Sequence, residues 1–552
     1  MFRKTQKEIQ LSMFSSPVAL LSGRSKNIYE KEDAWHNIFR KEVTMRINED
    51  IFKNLFCQDN GSPNASVRVL VAMMVLKEAQ GISDEKLYEE CRFNMLTRSA
   101  IGLMSIDDEV PAVSTYYAFR KRIYENTKAG NEDLLSKVFA DITRQQSCEF
   151  NVSGKSVRMD SKLLGSNIAW LSRYELVHET LRLFYKEVKD SNRLSQGLKE
   201  QLNEILKIKG NKIVYTNTSE EVETKLHQLG ILIYQLLPVF EECGLSSYNT
   251  LKKVFQEQFT TSTESHIVPR EKEEISAHSI QSPHDTDCHF RNKGGEKVKG
   301  YSINVTESCN DTGLNLIGNV DVRVASTPDT AFFQDDINKV EPVFTEPVED
   351  VHADGAYHSP DNQDFCKMKN INLYLHAIQG TKGRYEFTFT DDGNLNVFDT
   401  ITKNTLTATK IIAKNKAEKW RIPSEKGYRY FSQKEIEAYF FRKKIEGTPI
   451  EISQKRNNVE ATIFQLGYHY PNNKSRYRGL IKHTMWANMR CLWINFVRIF
   501  KFIAQKCQKT CFLIKKSFFV SFLMQKFMFK IFFNIITENF IFFRKISFFV
   551  EF

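Results

Sequence analysis

The chain has 552 residues, 41% apolar and 26% charged, a balance that places it among globular rather than disordered proteins and a length that suggests roughly three or four structural units. A formal charge of +10 points only weakly to a polyanionic partner, because residues 500–552 hold nine Lys/Arg against two Glu and so carry +7 of it. The ten cysteines are scattered without a CxxC pair, which argues against a zinc ribbon or a dense disulfide framework and fits a reducing cytoplasm. The opening MFRKTQKEIQLSMF has no sustained apolar stretch before a small-residue cleavage site, so no secretory leader is expected.

Residues 1–50 read as a mixed polar extension with a short helix around Ala34–Phe39. From Ser66, VRVLVAMMVLKEAQ is apolar all round, as in a helix buried among others, and Gly81 ends it. Ser83 starts the next helix with acids in its first turn, favourable to the helix dipole. Ser114 or Thr115 is the predicted cap of a third, YYAFRKRIYEN, whose Arg120, Lys121 and Arg122 suit either a solvated face or phosphate contact. SVRMDSKLL, bounded by Gly154 and Gly165, reads as a buried strand with one acid in its middle. About a hundred helical residues follow, then a polar connector and two strand-like runs, KVKGYSINVTES and LNLIGNVDVRVAS, joined by turn residues 310–313. Thr327-Pro328-Asp329 opens a helix expected to reach about Val343, with Pro328 at its first position. EDVHADGAY is a further strand. Residues 380–415 alternate as strands do, and another helix is expected from about Ser453. Three strands of a meander followed by a crossover helix that returns the fourth beside the first is the order of a ribonuclease-H-like core.

Phosphodiester chemistry needs an activated nucleophile and stabilisation of the leaving oxygen, and two Mg²⁺ ions on a few rigid carboxylates supply both. Asp160 lies inside an otherwise apolar strand, where an unpartnered carboxylate is costly. Asp354 ends another apolar strand. Glu460 lies on a helix whose Val459, Ile463 and Leu466 form an apolar stripe that would bring it over the sheet. Taken singly, such an Asp is usually a cap and such a Glu usually solvated; together, on the expected elements, they form a site. Asp321 alternates onto the opposite face of its strand, Asp285 and Asp287 sit in a polar connector where exposure is the default, and Glu451 precedes the stripe.

These residues carry a resemblance to insertion-sequence transposases with a DDE catalytic domain and an InsH-like N-terminal helical domain. It rests on LVAMMVLKEAQGISDEKLYEECRFN with STYYAFRKRI, on RMDSKLLGSNIAWLSRYELVH, KGGEKVKGYSINVTES, LNLIGNVDVRVASTPDT and HADGAYHS, and on RNNVEATIFQL with KSRYRGLIKHTMWANMRCLWINFVRI, over roughly residues 50–500. The resemblance implies a ribonuclease-H-like domain that cuts DNA at element ends and joins them to a target. Asp160, Asp354 and Glu460 would be its metal-holding catalytic carboxylates, with two Mg²⁺ (Mn²⁺ able to substitute). The glutamate of such enzymes lies in a Tyr-x₂-Arg-x₃-Glu-x₆-Lys pattern; Arg456 and Glu460 match its centre, whereas Ser453 and Gly467 replace its ends.

The expected fold is α+β: an extension (1–50), a helical unit (51–150), an interrupted ribonuclease-H-like sheet (151–500) with a helical insert (about 168–265) and a β insert (about 375–450), and a tail (501–552). Tyr357, Arg456, Lys474, Arg476 and Arg478 are candidate DNA contacts, and Tyr477 a stacking residue. Expected partners are element-end and target DNA and a second copy of the chain, dimeric or higher, in a cytoplasmic, nucleoid-associated setting without a membrane. In the Phe/Lys-rich tail Lys interrupts each apolar run short of a span, and the AT-rich codons of its Phe, Ile, Asn and Lys suit readthrough of AT-rich sequence. Rival readings are a catalytically inactive DNA-binding remnant and, from the tail alone, a membrane-associated helical protein.

Overall fold

A computed structural model describes residues 1–5, 16–57, 61–261, 267–310, 313–376, 383–412, 418–424 and 427–506. The turn at 311–312 and nearly all of the tail lie outside them.

The N-terminal helices include α1 (Trp35–Glu42), α2 (Val67–Gln80), α3 (Asp84–Phe93), α4 (Val113–Lys128) and α5 (Leu134–Phe150). Ser66 and Ser83 cap α2 and α3 through their side chains, and Gly81 stops α2 at φ 60°, a left-handed backbone suited to glycine. The expected cap of α4 is displaced: the helix starts at Val113 after Ala112, with no side-chain cap, so Ser114 and Thr115 lie inside its first turn. Arg120 is paired with Asp84, and Arg122 lies over the Phe56 ring.

The main sheet holds β1 (Ser156–Gly165), β2 (His289–Lys293), β3 (Glu296–Ser308), β4 (Ile317–Val324), β5 (Asp350–Ala353) and β6 (Asn372–Leu375). β2 and β4 both pair with β3, β3 runs antiparallel to β1, and β5 and β6 continue the sheet beyond β1 as parallel neighbours. The meander and the return of the later strand beside β1 are therefore present. The crossover differs in detail from expectation. Pro328 precedes a 3-10 turn (Asp329–Ala331), and the helix proper is α6 (Phe333–Val340), closed by a second 3-10 turn at Glu341–Val343. After β5, α7 (Pro360–Lys369) leads to β6, a strand of four residues whose alternation is too short to read from sequence.

Between β1 and β2 stand the helices Arg173–Val188, Gln196–Leu206, Gly210–Thr216, Ser219–Leu236 and Ser246–Gln258, packed about a core of their own that includes Leu181, Phe184 and Leu229. After β6, a five-stranded antiparallel sheet spans Tyr385–Ser432 and is followed by the helix Gln433–Glu446, so strands occupy only part of the stretch assigned to a β insert. The chain then forms α8 (Asn457–Gly467) and α9, helical over 480–506.

The N-terminal helices do not have a separate core. Phe39, Val71 and Leu135 belong to one cluster with Ile303 and Val305 of β3, Leu466 of α8 and Trp486 and Phe496 of α9; Phe39 meets Phe496 edge to face at 5.0 Å. The opposite face of the sheet is covered by Phe333, Ile337, Phe365 and Tyr357. Where β1 ends, Gly165 faces Gly300, and a Cβ on Gly300 would collide with the Leu164 carbonyl. Gly300→Ala is expected to cost about 1–3 kcal/mol as a shift in the denaturant midpoint, since backbone must move to make room; an unchanged midpoint would show that the strands part freely.

Asp285 departs from its expected exposure. It is buried, accepting hydrogen bonds from Ser166 Oγ, from Tyr301 Oη at 2.7 Å and from the Gly479 amide at 3.0 Å, while Asp287 accepts from the Leu480 amide at 3.2 Å. The two connector acids thus satisfy orphan amides at the start of α9, where negative charge is favoured. His483, one turn in, packs on Tyr301 at 4.2 Å, and its Nδ1 donates to the Gly479 carbonyl, which leaves Nε2 to accept from Ser475 Oγ. Burial pushes this imidazole down to about 4. The folded form therefore binds the proton less readily than the unfolded chain, so stability present above pH 6.5 is lost as pH falls towards 4. The wild type should lose up to about 3 kcal/mol more than His483→Gln over that window in urea titrations; equal losses would contradict the neutral assignment.

Candidate active site

Asp160 sits mid-strand on β1 and Asp354 directly after β5. The parallel register pairs Ser156 with Asp350 and Arg158 with His352, and its continuation sets Asp160 level with Asp354. Both carboxylates are anchored by a backbone amide: Asp160 Oδ1 accepts from Ser161 N at 2.8 Å and Asp354 Oδ1 from Gly355 N at 2.6 Å. Each Oδ2 faces Arg456, at 3.4 Å from Asp160 and 3.9 Å from Asp354, and Glu460 Oε1 approaches the same guanidinium at 3.7 Å. The three predicted acids, far apart in sequence, converge on one cation. Burial pushes the Asp160 carboxyl above its ordinary range, partly offset by the attraction of Arg456.

α8 delivers the third acid differently from the stripe argument. Val459 and Leu466 are buried, whereas the Glu460 side chain is 65% exposed and reaches the site along the helix surface. Phe464 and Tyr468, one and two turns further on, are also exposed and meet at 6.0 Å, an aromatic pair that sequence reading missed because it looks like core pattern.

The donor set consists of carboxylate oxygens, hard ligands suited to Mg²⁺ or Mn²⁺ and unlike the nitrogen and sulfur sets of structural zinc. Its convergence on a guanidinium shows that positive charge is accommodated at this point. Among the described residues, no three His, Cys, Asp or Glu are close enough to grip an ion as they stand; Arg456 stands among the three acids.

A buried network fixes these elements together. Glu307 of β3, wholly buried, accepts from Arg158 Nε at 2.5 Å, Arg498 Nη1 at 2.7 Å and Thr462 Oγ1 at 2.8 Å, and Arg158 also donates to the Lys455 carbonyl at 3.2 Å. Burial alone would raise the Glu307 carboxyl, but Arg498 and Arg158 outweigh it and hold it below the usual range. The strand bearing Asp160 is thereby joined to the helix bearing Glu460. Across the sheet, Asp321 pairs with Arg323 and Lys339 and lies in register with Asn304, on the face opposite Asp160.

Three of the expected DNA contacts are enclosed within the fold. Tyr357 is completely buried, its hydroxyl donating to Asn304, and has no surface to offer DNA. Arg456 is largely enclosed among the carboxylates. The Tyr477 hydroxyl donates to buried Glu78 of α2, so its ring is committed to the seam with the N-terminal helices. Along that seam lies an open pocket of about 540 Å³ whose lining includes Glu78, Arg120, Tyr477 and Trp486 and none of the three acids. Lys474, Arg476 and Arg478 are exposed, on a loop stapled to the end of β1: Ser475 N donates to the Gly165 carbonyl at 2.8 Å, and Arg478 Nε to the Asn167 carbonyl at 2.6 Å.

No helix of the described residues is long and apolar enough to cross a membrane. Residues 27–122, which run through α1, α2, α3 and most of α4, match a family described as Transposase domain (DUF772), and this supports a transposase. No curated protein matches the chain.

Proposed function

We propose that the protein is a DDE transposase of an insertion sequence, with a ribonuclease-H-like catalytic domain that cuts DNA at the element's ends and joins them to target DNA. The observation that supports this most is the meeting of Asp160, Asp354 and Glu460 around one cation on adjoining elements. The strand order and the match of the N-terminal helices to a transposase domain point the same way.

In this chemistry water attacks the phosphodiester at the element's end, the bond to the 3′ oxygen breaks, and the released 3′ hydroxyl attacks a target phosphodiester with loss of another 3′ hydroxyl. Asp160, Asp354 and Glu460 would hold two Mg²⁺ (or Mn²⁺) ions, whose bound form supplies Lewis-acid stabilisation of the attacking and leaving oxygens. The chain's own contribution is positioning. β1 and β5 hold the two aspartates level, the Glu307 network fixes α8 against β1, and exposed Lys474, Arg476 and Arg478 offer phosphate contacts beside the site. Phe464 and Tyr468 offer a surface on which unpaired bases can stack. The DNA complex is a dimer or higher assembly, and the protein works at the nucleoid.

The second reading, a DNA-binding remnant without catalysis, is favoured by the arginine seated among the acids and by Ser453 and Gly467 at the ends of the glutamate's pattern. Incubation with supercoiled plasmid carrying the DNA that flanks the gene separates the two: Mg²⁺- or Mn²⁺-dependent nicking at the flanks supports the enzyme, and binding without nicking supports the remnant.

A further inference from the structure

Lys162 lies two residues beyond Asp160, on the same face of β1, and is half-buried. Its side chain runs to α8. A Cβ built on Gly467 would lie 2.6 Å from the Lys162 ammonium nitrogen and 2.9 Å from its Cε, so the ammonium occupies the space that a side chain at 467 would take. Among the described residues this ammonium has no hydrogen bond or ion pair, and its charge is compensated only at longer range by Glu296. A partly desolvated cation without a close partner is costly to maintain, and no group among the described residues repays it.

Its location suggests what does. Position 467 is seven residues after Glu460, two helical turns along the same side of α8 and about 10 Å away. On the other side, β1 continues to Gly165, which bridges to Lys474 at the start of the exposed basic loop. Lys162 therefore stands between the carboxylates and that loop, where a strand of nucleic acid leaving the carboxylates would pass.

We propose that Lys162 is a DNA-phosphate contact, brought from β1 into the place where the Tyr-x₂-Arg-x₃-Glu-x₆-Lys pattern has its lysine, and that position 467 is glycine because this ammonium needs the room. The inference rests on the DNA-processing reading of the site. The missing lysine is then a relocated one, and the two positions are coupled: one cation is required, from either element, and two do not fit.

The test measures binding rather than cleavage, in EDTA, so that it does not depend on catalysis. Duplexes tiling the DNA on either side of the gene are titrated with the full-length protein at several salt concentrations, and log affinity is plotted against log salt. Lys162→Met, which keeps the apolar stem, should lower the slope by about 0.9, the loss of one phosphate contact. Lys162→Arg should retain it, and Gly467→Lys in a Lys162→Ala background should restore it. If Lys162→Met does not fold, Lys162→Gln makes the same comparison. An unchanged slope in a folded Lys162 variant, or failure of the relocated lysine to restore it, would overturn the proposal. Wild-type protein that binds none of the duplexes would instead overturn the DNA reading itself, and this contact with it.

Discussion

Asp160→Ala and Asp354→Ala should each reduce plasmid cleavage by at least about a thousandfold, equivalent to about 4 kcal/mol of transition-state stabilisation. Both aspartates are held by a neighbouring amide on adjoining strands, and the rival acids weighed from sequence are committed elsewhere: Asp321 lies across the sheet, and Asp285 is occupied by three donors. Glu460 is exposed on a helix surface and has more freedom, so Glu460→Ala should also inactivate, while Glu460→Asp should retain a measurable remainder. Thermal melting of each variant guards against an effect on folding. Wild-type rates in either aspartate variant would remove that residue from the site.

Glu307→Gln should destabilise the protein by about 3–5 kcal/mol, because it leaves the guanidinium groups of Arg158 and Arg498 in a nearly dry interior without their shared counter-charge. The sign with pH follows from the depressed carboxyl. Its contribution is complete above the ordinary glutamate range and is lost as pH falls through the lower folded value, so the variant should show a weaker acid dependence than the wild type. Because Thr462 and the Lys455 carbonyl belong to the same network, cleavage should fall as well, through displacement of α8 rather than loss of a reacting group. A change below about 1 kcal/mol in denaturant titrations would mean that the arginines find other partners.

What could be read in the sequence was local. Ser66, Ser83 and Gly81 announce helix ends through backbone chemistry that depends on a few neighbouring residues, and VRMDSKLL between two glycines announces a strand with an acid inside it. Asp160 drew notice by interrupting an apolar strand, Asp354 by ending another, and Glu460 by lying beside a helical apolar stripe. What was not legible depends on partners far away in the chain. Arg158 and Glu307 are 149 residues apart, and Tyr477 and Glu78 are 399 apart, so neither pair has a sequence spacing to recognise. Asp285 in a polar connector looks exposed until the start of α9 is laid against it. The helix Gln433–Glu446 carries the contiguous run Ala438–Phe441, which disguises helical periodicity within the stretch expected to be a β insert. Lys162 looks like an ordinary strand lysine; only its close approach to the Cβ position of Gly467, 305 residues away, sets it apart.

In the proposed reading, the carboxylates around Arg456 form a metal-dependent DNA-processing centre. The most direct measurement incubates wild-type protein and Asp160→Ala, side by side, with plasmid carrying both flanks of the gene in the presence of Mg²⁺ or Mn²⁺, and maps the broken strands. The expected result is metal-dependent cleavage at the flanks by the wild type, with free 3′ hydroxyl ends that become joined to other DNA, and none by Asp160→Ala. Absence of cleavage by the wild type, or equal cleavage by both proteins, would contradict it.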